Sequence, residues 1–142
     1  MRDRGYAAVE FGLAVGLLLL PVAMAVLAFG PWSERRVFAE AAAAEAARAA
    51  VIELNTTSGS LVVFDMAANH GLDDGLVRLG WCGREPTGVS SDGSGCSFER
   101  GTQVTAEVLV WVPLVPTPWG EVGGLWVGAE HAEPIDLYRS LG

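Results

Sequence analysis

The chain has 142 residues, 51% of them hydrophobic, and sets 17 acids against 9 arginines with no lysine, for a formal charge of −8. That length leaves room for one small domain. The charge balance argues against nucleic acid or an anionic lipid surface as partner, because both need clustered cations, and the hydrophobic excess gathers at the N-terminus, as in a membrane segment attached to an acidic, solvated head.

Residues 11–33 carry no charge, a run of about 23 positions and long enough to span a bilayer as a helix. Arg2 and Arg4 precede it, so the positive-inside rule places the N-terminus in the cytoplasm and everything after residue 33 outside. Arg35 and Arg36, the only adjacent basic pair, read as a stop at the outer edge. Pro21 lies mid-run, where it removes a backbone donor and predicts a kink. Gly12 and Gly16 form a GxxxG step that lets another helix approach closely. One residue is out of keeping: Glu10 stands inside the front of this apolar stretch. A carboxylate at the centre of a bilayer helix costs on the order of 2.5–3.5 kcal/mol even on a lenient insertion scale.

The next stretch, "SERRVFAEAAAAEAARAAVIEL" at 33–54, is built from strong helix formers without internal Gly or Pro, and is expected to be helical outside the membrane. At helical spacing Ala39, Ala43, Ala46, Ala50 and Leu54 share one face, with Glu40, Glu45 and Arg48 opposite. An alanine stripe suits close packing, although a solvated alanine-rich helix shows the same pattern. If only Pro31 interrupts the two segments, they make one helix of about 49 residues, roughly 70 Å long.

"NTTSGS" at 55–60 has turn chemistry and is expected to break the helix; Asn55-Thr56-Thr57 also fits a glycosylation sequon. Residues 61–80 predict a short helix followed by a strand. Cys82 and Cys96 flank the Gly/Ser-rich stretch "WCGREPTGVSSDGSGC". An even cysteine count on the far side of a membrane segment predicts a disulfide between them, with two buried free thiols as the alternative. "TQVTAEVLVWVPL" alternates, placing Val104, Ala106, Val108, Val110 and Val112 on one face of a half-buried strand. "VPLVPTPWG" holds three prolines and predicts an edge or loop, and "VGGLWVGAEHAEPIDLY" predicts a further strand ending near Pro134. The expected fold is α+β and pilin-like: a long N-terminal helix, transmembrane and then extracytoplasmic, followed by a small antiparallel β-sheet head.

Chemistry-bearing constellations are sparse. Asp73 and Asp74 in "HGLDDG" lie near His70, but the flanking glycines predict a solvated turn rather than a hydrolytic or metal site. His70 and His131 are isolated, and there is no CxxC or HxxxH spacing. No phosphate loop, nucleophile elbow or paired His/Glu motif occurs. Trp81, Trp111, Trp119 and Trp126 read as core or interface aromatics. The chain is therefore expected to be no enzyme and to use no cofactor or metal.

The residues around Glu10 carry a resemblance. "RGYAAVEF" is similar to the processing site of TadE-like pseudopilins, minor subunits of tight-adherence (Flp) type IV pili, in which a glycine is followed after four residues by glutamate and an aromatic. Those positions here are Gly5, Glu10 and Phe11. "AFG" followed by "AEAAAAEAARAAV" resembles the small-residue helix after the family's anchor, and the head is similar in its general plan of strands and a closing "DLYRS". The chain departs from the family at Gly16, where a proline is common. Major pilins of these systems are shorter and lack a head, so the resemblance implies a minor or accessory subunit.

It further implies cleavage between Gly5 and Tyr6 by a prepilin peptidase, a membrane aspartyl protease. The implied partners are other pilins and pseudopilins, the inner-membrane assembly platform and the lipid bilayer. The expected organisation is a leader at 1–5, a transmembrane helix at 6–32, an extracytoplasmic helix at 33–54 and a disulfide-bearing head at 55–142. Two other readings stay open. A secretory signal peptide ending at the small-x-small step Ala23-Met24-Ala25 would release an extracellular binding domain, and an uncleaved single-pass anchor would tether one.

Overall fold

The structure, a computed structural model, describes residues 4–88, 92–117 and 120–138. Trp119, Pro118, Arg2 and the Arg139-Ser140 end of "DLYRS" lie outside the described residues. One helix, α1 (Arg4–Glu53), runs without interruption through both Pro21 and Pro31. Its 50 residues correspond to about 75 Å. The helix α2 (Thr56–Asn69) folds back beside it, a single 3-10 turn (Asp74–Leu76) follows, and three strands complete the head: β1 (Val77–Trp81), β2 (Gln103–Thr117) and β3 (Gly120–Pro134). The sheet is antiparallel in the order β1-β2-β3. The architecture is α+β and pilin-like, as the sequence predicts.

The alternating valines explain why the sheet docks where it does. Val104, Ala106, Val108, Val110 and Val112 are all buried, and the first four pack, together with Val77, Leu79 and Trp81 of β1, in one cluster with Ala39, Ala42, Ala43, Ala46, Ala47 and Ala50 of α1. Small side chains on the helix let the backbone come close to the sheet, and the β-branched residues opposite fill the remaining depth. Glu40, Glu45 and Arg48 are exposed on the other side of α1, where Arg36 pairs with Glu40 at 3.0 Å and Arg48 with Glu45 at 3.4 Å.

Leu54 departs from the expected alanine face. It adopts a left-handed conformation, φ 55°, and the Asn55 N–H donates to the Ala50 carbonyl at 3.1 Å, the bond that closes a helix in a Schellman turn. Asn55 then caps α2, its Oδ1 accepting the Ser58 N–H at 3.0 Å. The break thus takes two residues rather than six, and Thr56 to Ser60 are already helical. Gly59 is a packing residue here: a Cβ on it would stand 2.5 Å from the Ala46 carbonyl oxygen and 2.5 Å from the Trp81 ring.

The proline-rich stretch, expected to mark an edge or loop, lies within a strand that has an uncovered edge there. Pro113 and Pro116 lie inside β2, in register with Gly124 and Glu121 of β3. β1 covers only Ala106–Val110 of β2, so beyond Val110 that edge of β2 faces no strand. Pro113, whose N position turns toward that edge, is tolerated there because no ladder partner needs its N–H, whereas Pro116 has the opposite parity and turns toward β3.

Cys82 and Cys96 are bonded, with Cα atoms 5.4 Å apart. Cys82 and Gly83 both have positive φ, 51° and 79°, and the Arg84 N–H donates to the Trp81 carbonyl at 3.0 Å, a type I′ turn. The chain then returns along the outer edge of β1, where the Leu79 N–H donates to the Gly88 carbonyl at 2.8 Å. Gly93 rests directly on Thr56, so the bridged loop covers the start of α2. In this loop the side-chain and backbone hydrogen bonds from Ser94, helped by Arg84, hold the Asp92 carboxyl below the usual carboxylate range.

Candidate assembly surface along the N-terminal helix

The residues singled out around the apolar run all sit on α1, so their mutual geometry is that of a helix. Tyr6 and Glu10 are one turn apart, about 6 Å of rise, on adjoining positions of one face. Tyr6 is 78% exposed and Phe11 72%, and Glu10 is exposed as well. Nothing within 4 Å would meet a Cβ added to Gly12 or Gly16. The GxxxG step therefore faces open space in this chain. Gly5 lies in the first turn of α1.

Below the head α1 has long exposed apolar side chains on all sides: Leu13, Leu17, Leu18, Leu20, Val26 and Leu27 among them. Among the described residues α1 is the one helix long and apolar enough to cross a membrane. A helix that is apolar all round and uncovered by its own chain belongs in lipid or among other helices. Where it meets the head, Phe29 and Trp32 stack at 5.6 Å between centroids and the Arg36 guanidinium sits 5.8 Å over the Trp32 ring. Indole and guanidinium together suit a membrane–water boundary.

Two further features bear on what the molecule can contact. A groove of about 430 Å³ between α1 and α2 is lined by Ser33, Val37, Phe38, Met66 and His70, and there the Phe38 and His70 rings meet edge to face at 5.1 Å. On the outer face of the sheet Trp111 and Trp126, paired across β2 and β3, pack edge to face at 5.3 Å, with the Arg78 guanidinium 4.1 Å over Trp126. Trp81, by contrast, is fully buried and its Nε1–H donates to Ser60 Oγ at 3.4 Å. The Trp32–Arg36 contact had one signal in the sequence, an arginine four positions after a tryptophan on a helix; the Arg78–Trp126 contact had none.

Asp73 and Asp74 are exposed in the turn before β1. Among the described residues no group of three or more His, Cys, Asp or Glu side chains could hold a metal ion. The structure brings Cys82 to Cys96 and Tyr6 to within a turn of Glu10, while the two sites stay at opposite ends of the molecule. Compared with known proteins, the chain matches no family model, no curated protein and no solved structure.

Proposed function

We propose that this chain is a minor pseudopilin, a structural and assembly subunit of a tight-adherence (Flp) type IV pilus, made as a precursor and cut by a prepilin peptidase. The observation that carries this reading is the Gly5, Glu10, Phe11 spacing at the start of one continuous helix whose lower part is apolar all round and whose upper part is the core of a small sheet. Cleavage after Gly5 removes Arg2 and Arg4 and leaves a charged amine on Tyr6, one helical turn from Glu10. Were the two charges about 6 Å apart at an effective dielectric near 20, they would attract by roughly 3 kcal/mol. This is the size of the penalty for placing the carboxylate in the membrane. In a bundle of packed helices Glu10 pairs with its own or a neighbour's amine, and the need for that partner fixes the axial register between subunits.

The same reading places the N-terminus inside and the head outside the cytoplasmic membrane, with the head available for incorporation in a surface pilus. Arg2 and Arg4 ahead of the span support that orientation, and so does the Cys82–Cys96 bridge, which persists in an oxidising compartment. Other pilins, the peptidase and the assembly platform are the partners it requires.

The N-terminus of protein recovered from native membranes tests the proposal. Intact mass and terminal peptides are expected to begin at Tyr6. A chain that still begins at Met1 or Arg2 would instead be an uncleaved anchor, and one that begins after Ala25 would be a secreted domain.

A further inference from the structure

We propose that the distal part of the β2–β3 hairpin, at residues 112–114 and 122–125, is a second membrane-contacting element, seated in the outer interfacial layer of the bilayer beside α1. The inference rests on the reading of α1 as a membrane span. Val112, Pro113, Leu114 and Leu125 close a shallow groove of about 230 Å³ against Ala25, Phe29 and Trp32 of α1. Ala25 lies about 12 Å down the helix axis from Ser33, the last uncharged residue of the run. The hairpin therefore reaches past the end of the apolar segment instead of stopping above it.

Its composition fits that position. Between Glu107 and Glu121 there is no ionisable side chain, and Leu114, Val122 and Leu125 are 50%, 61% and 40% exposed. In water these would form an apolar patch continuous with the bare surface of α1, where Val22, Ala25, Val26 and Phe29 line a further depression. A shared apolar surface across helix and hairpin is covered most simply by the same solvent, lipid.

The backbone is adapted as well. Thr105 of β2 turns its carbonyl toward β1, where it accepts the Cys82 N–H at 2.8 Å, and Pro113 has the same parity along the strand. It therefore removes a donor from the edge of β2 that no strand covers. An unpaired N–H there would cost most in a water-poor layer.

The hairpin sequence carries a glutamate at position 121, and burying a carboxylate in hydrocarbon is costly, so the hairpin is seated in the interface rather than in hydrocarbon. The outer boundary of the hydrocarbon then cuts α1 near Ala25, leaving about 20 residues from Tyr6, or about 30 Å, for the core. Phe29 and Trp32 fall in the aromatic belt above it.

Spin labels on the full chain in phosphatidylcholine/phosphatidylglycerol vesicles test this. Both native cysteines are bridged, so single variants Leu114→Cys, Val122→Cys, Leu17→Cys as a span control and Asp136→Cys as a head control each present one reactive thiol. Collision with a water-soluble nickel chelate, measured by power saturation, is expected to be lower at 114 and 122 than at 136 by roughly an order of magnitude, as for side chains at the headgroup–acyl boundary. Shielding at 17 with full access at 114 and 122 would overturn the hairpin contact and leave the span intact. Access at 17 as well would overturn the span itself. Shielding at 114 with spin–spin broadening that disappears on dilution with unlabelled chain would show a second copy on the hairpin, and would also overturn the proposal.

Discussion

At the scale of single residues the head is organised around points of close approach where a side chain is missing. Gly59 lets α2 cross Ala46 while the indole of Trp81 lies against it, and the Trp81 Nε1–H reaches Ser60 Oγ, which in turn donates to the Thr56 carbonyl at 3.0 Å. Gly124 and Gly128 do the same on the outer face, beneath Trp111 and Leu109. Gly59→Ala gains up to about 1 kcal/mol of helix propensity, but its methyl meets a backbone oxygen and a buried ring, neither of which yields easily. Overpacking of that kind costs about 1–3 kcal/mol, so the clash wins. A lower thermal midpoint of the head in lipid nanodiscs, with a changed near-ultraviolet signal from Trp81, is the expected outcome. An unchanged midpoint would mean that α2 moves aside freely.

At the scale of elements, legibility followed locality. The period-two valines of β2 and the alanine stripe of α1 were readable because each is one face of one element. The start of α2 was not. Thr-Thr-Ser-Gly-Ser favours turns on its own, and only Ala46 and Trp81, distant in sequence, make Gly59 fit a helix. The prolines of β2 were legible as an edge or loop, but that the strand continues through them was not, since it depends on where β1 stops. The Gly5, Glu10, Phe11 pattern lies along a single helix and was plain; the approach of Leu114 to Ala25 joins two elements and left no trace in the sequence. The bridged loop shows what local reading could and could not give: the pairing of Cys82 with Cys96 was predictable, but its seat on Thr56 was not. Closing a loop of about 15 residues contributes roughly 3 kcal/mol in the chain-entropy model. Reduction is therefore expected to lower the head's unfolding free energy by about that amount in denaturant titration while β2 and β3 keep their far-ultraviolet signal. A loss of much less would show that the loop's own contacts hold it.

At the scale of the whole molecule the charge at Glu10 separates two steps. Glu10→Ala removes a cost to insertion, so membrane recovery is expected to equal or exceed that of the wild type. Cleavage after Gly5 is expected to persist to a large extent, because the glycine defines the cut. Recruitment into the pilus is expected to fail for want of the charge pair, and Glu10→Gln is expected to fail nearly as badly because it keeps the shape alone. Co-purification with the other pilus subunits and counts of surface pili measure this. Normal assembly by both variants would assign the glutamate another purpose.

Because α1 is one unbroken rod gripped by the sheet, it also acts as a crankshaft: the heading of every residue in the membrane plane is slaved to the head above. At 3.6 residues per turn Glu10 and Ala46 are about ten full turns apart, so the carboxylate points to the side on which the head sits. One alanine inserted after Gly30 would rotate Glu10 by about 100° relative to the head while moving it only about 1.5 Å along the axis. Such a variant keeps its charge, cleavage site and head, yet is expected to assemble poorly, whereas an insertion of seven alanines, close to two whole turns, restores the bearing. Surface pilus counts for the two insertions compare heading against length.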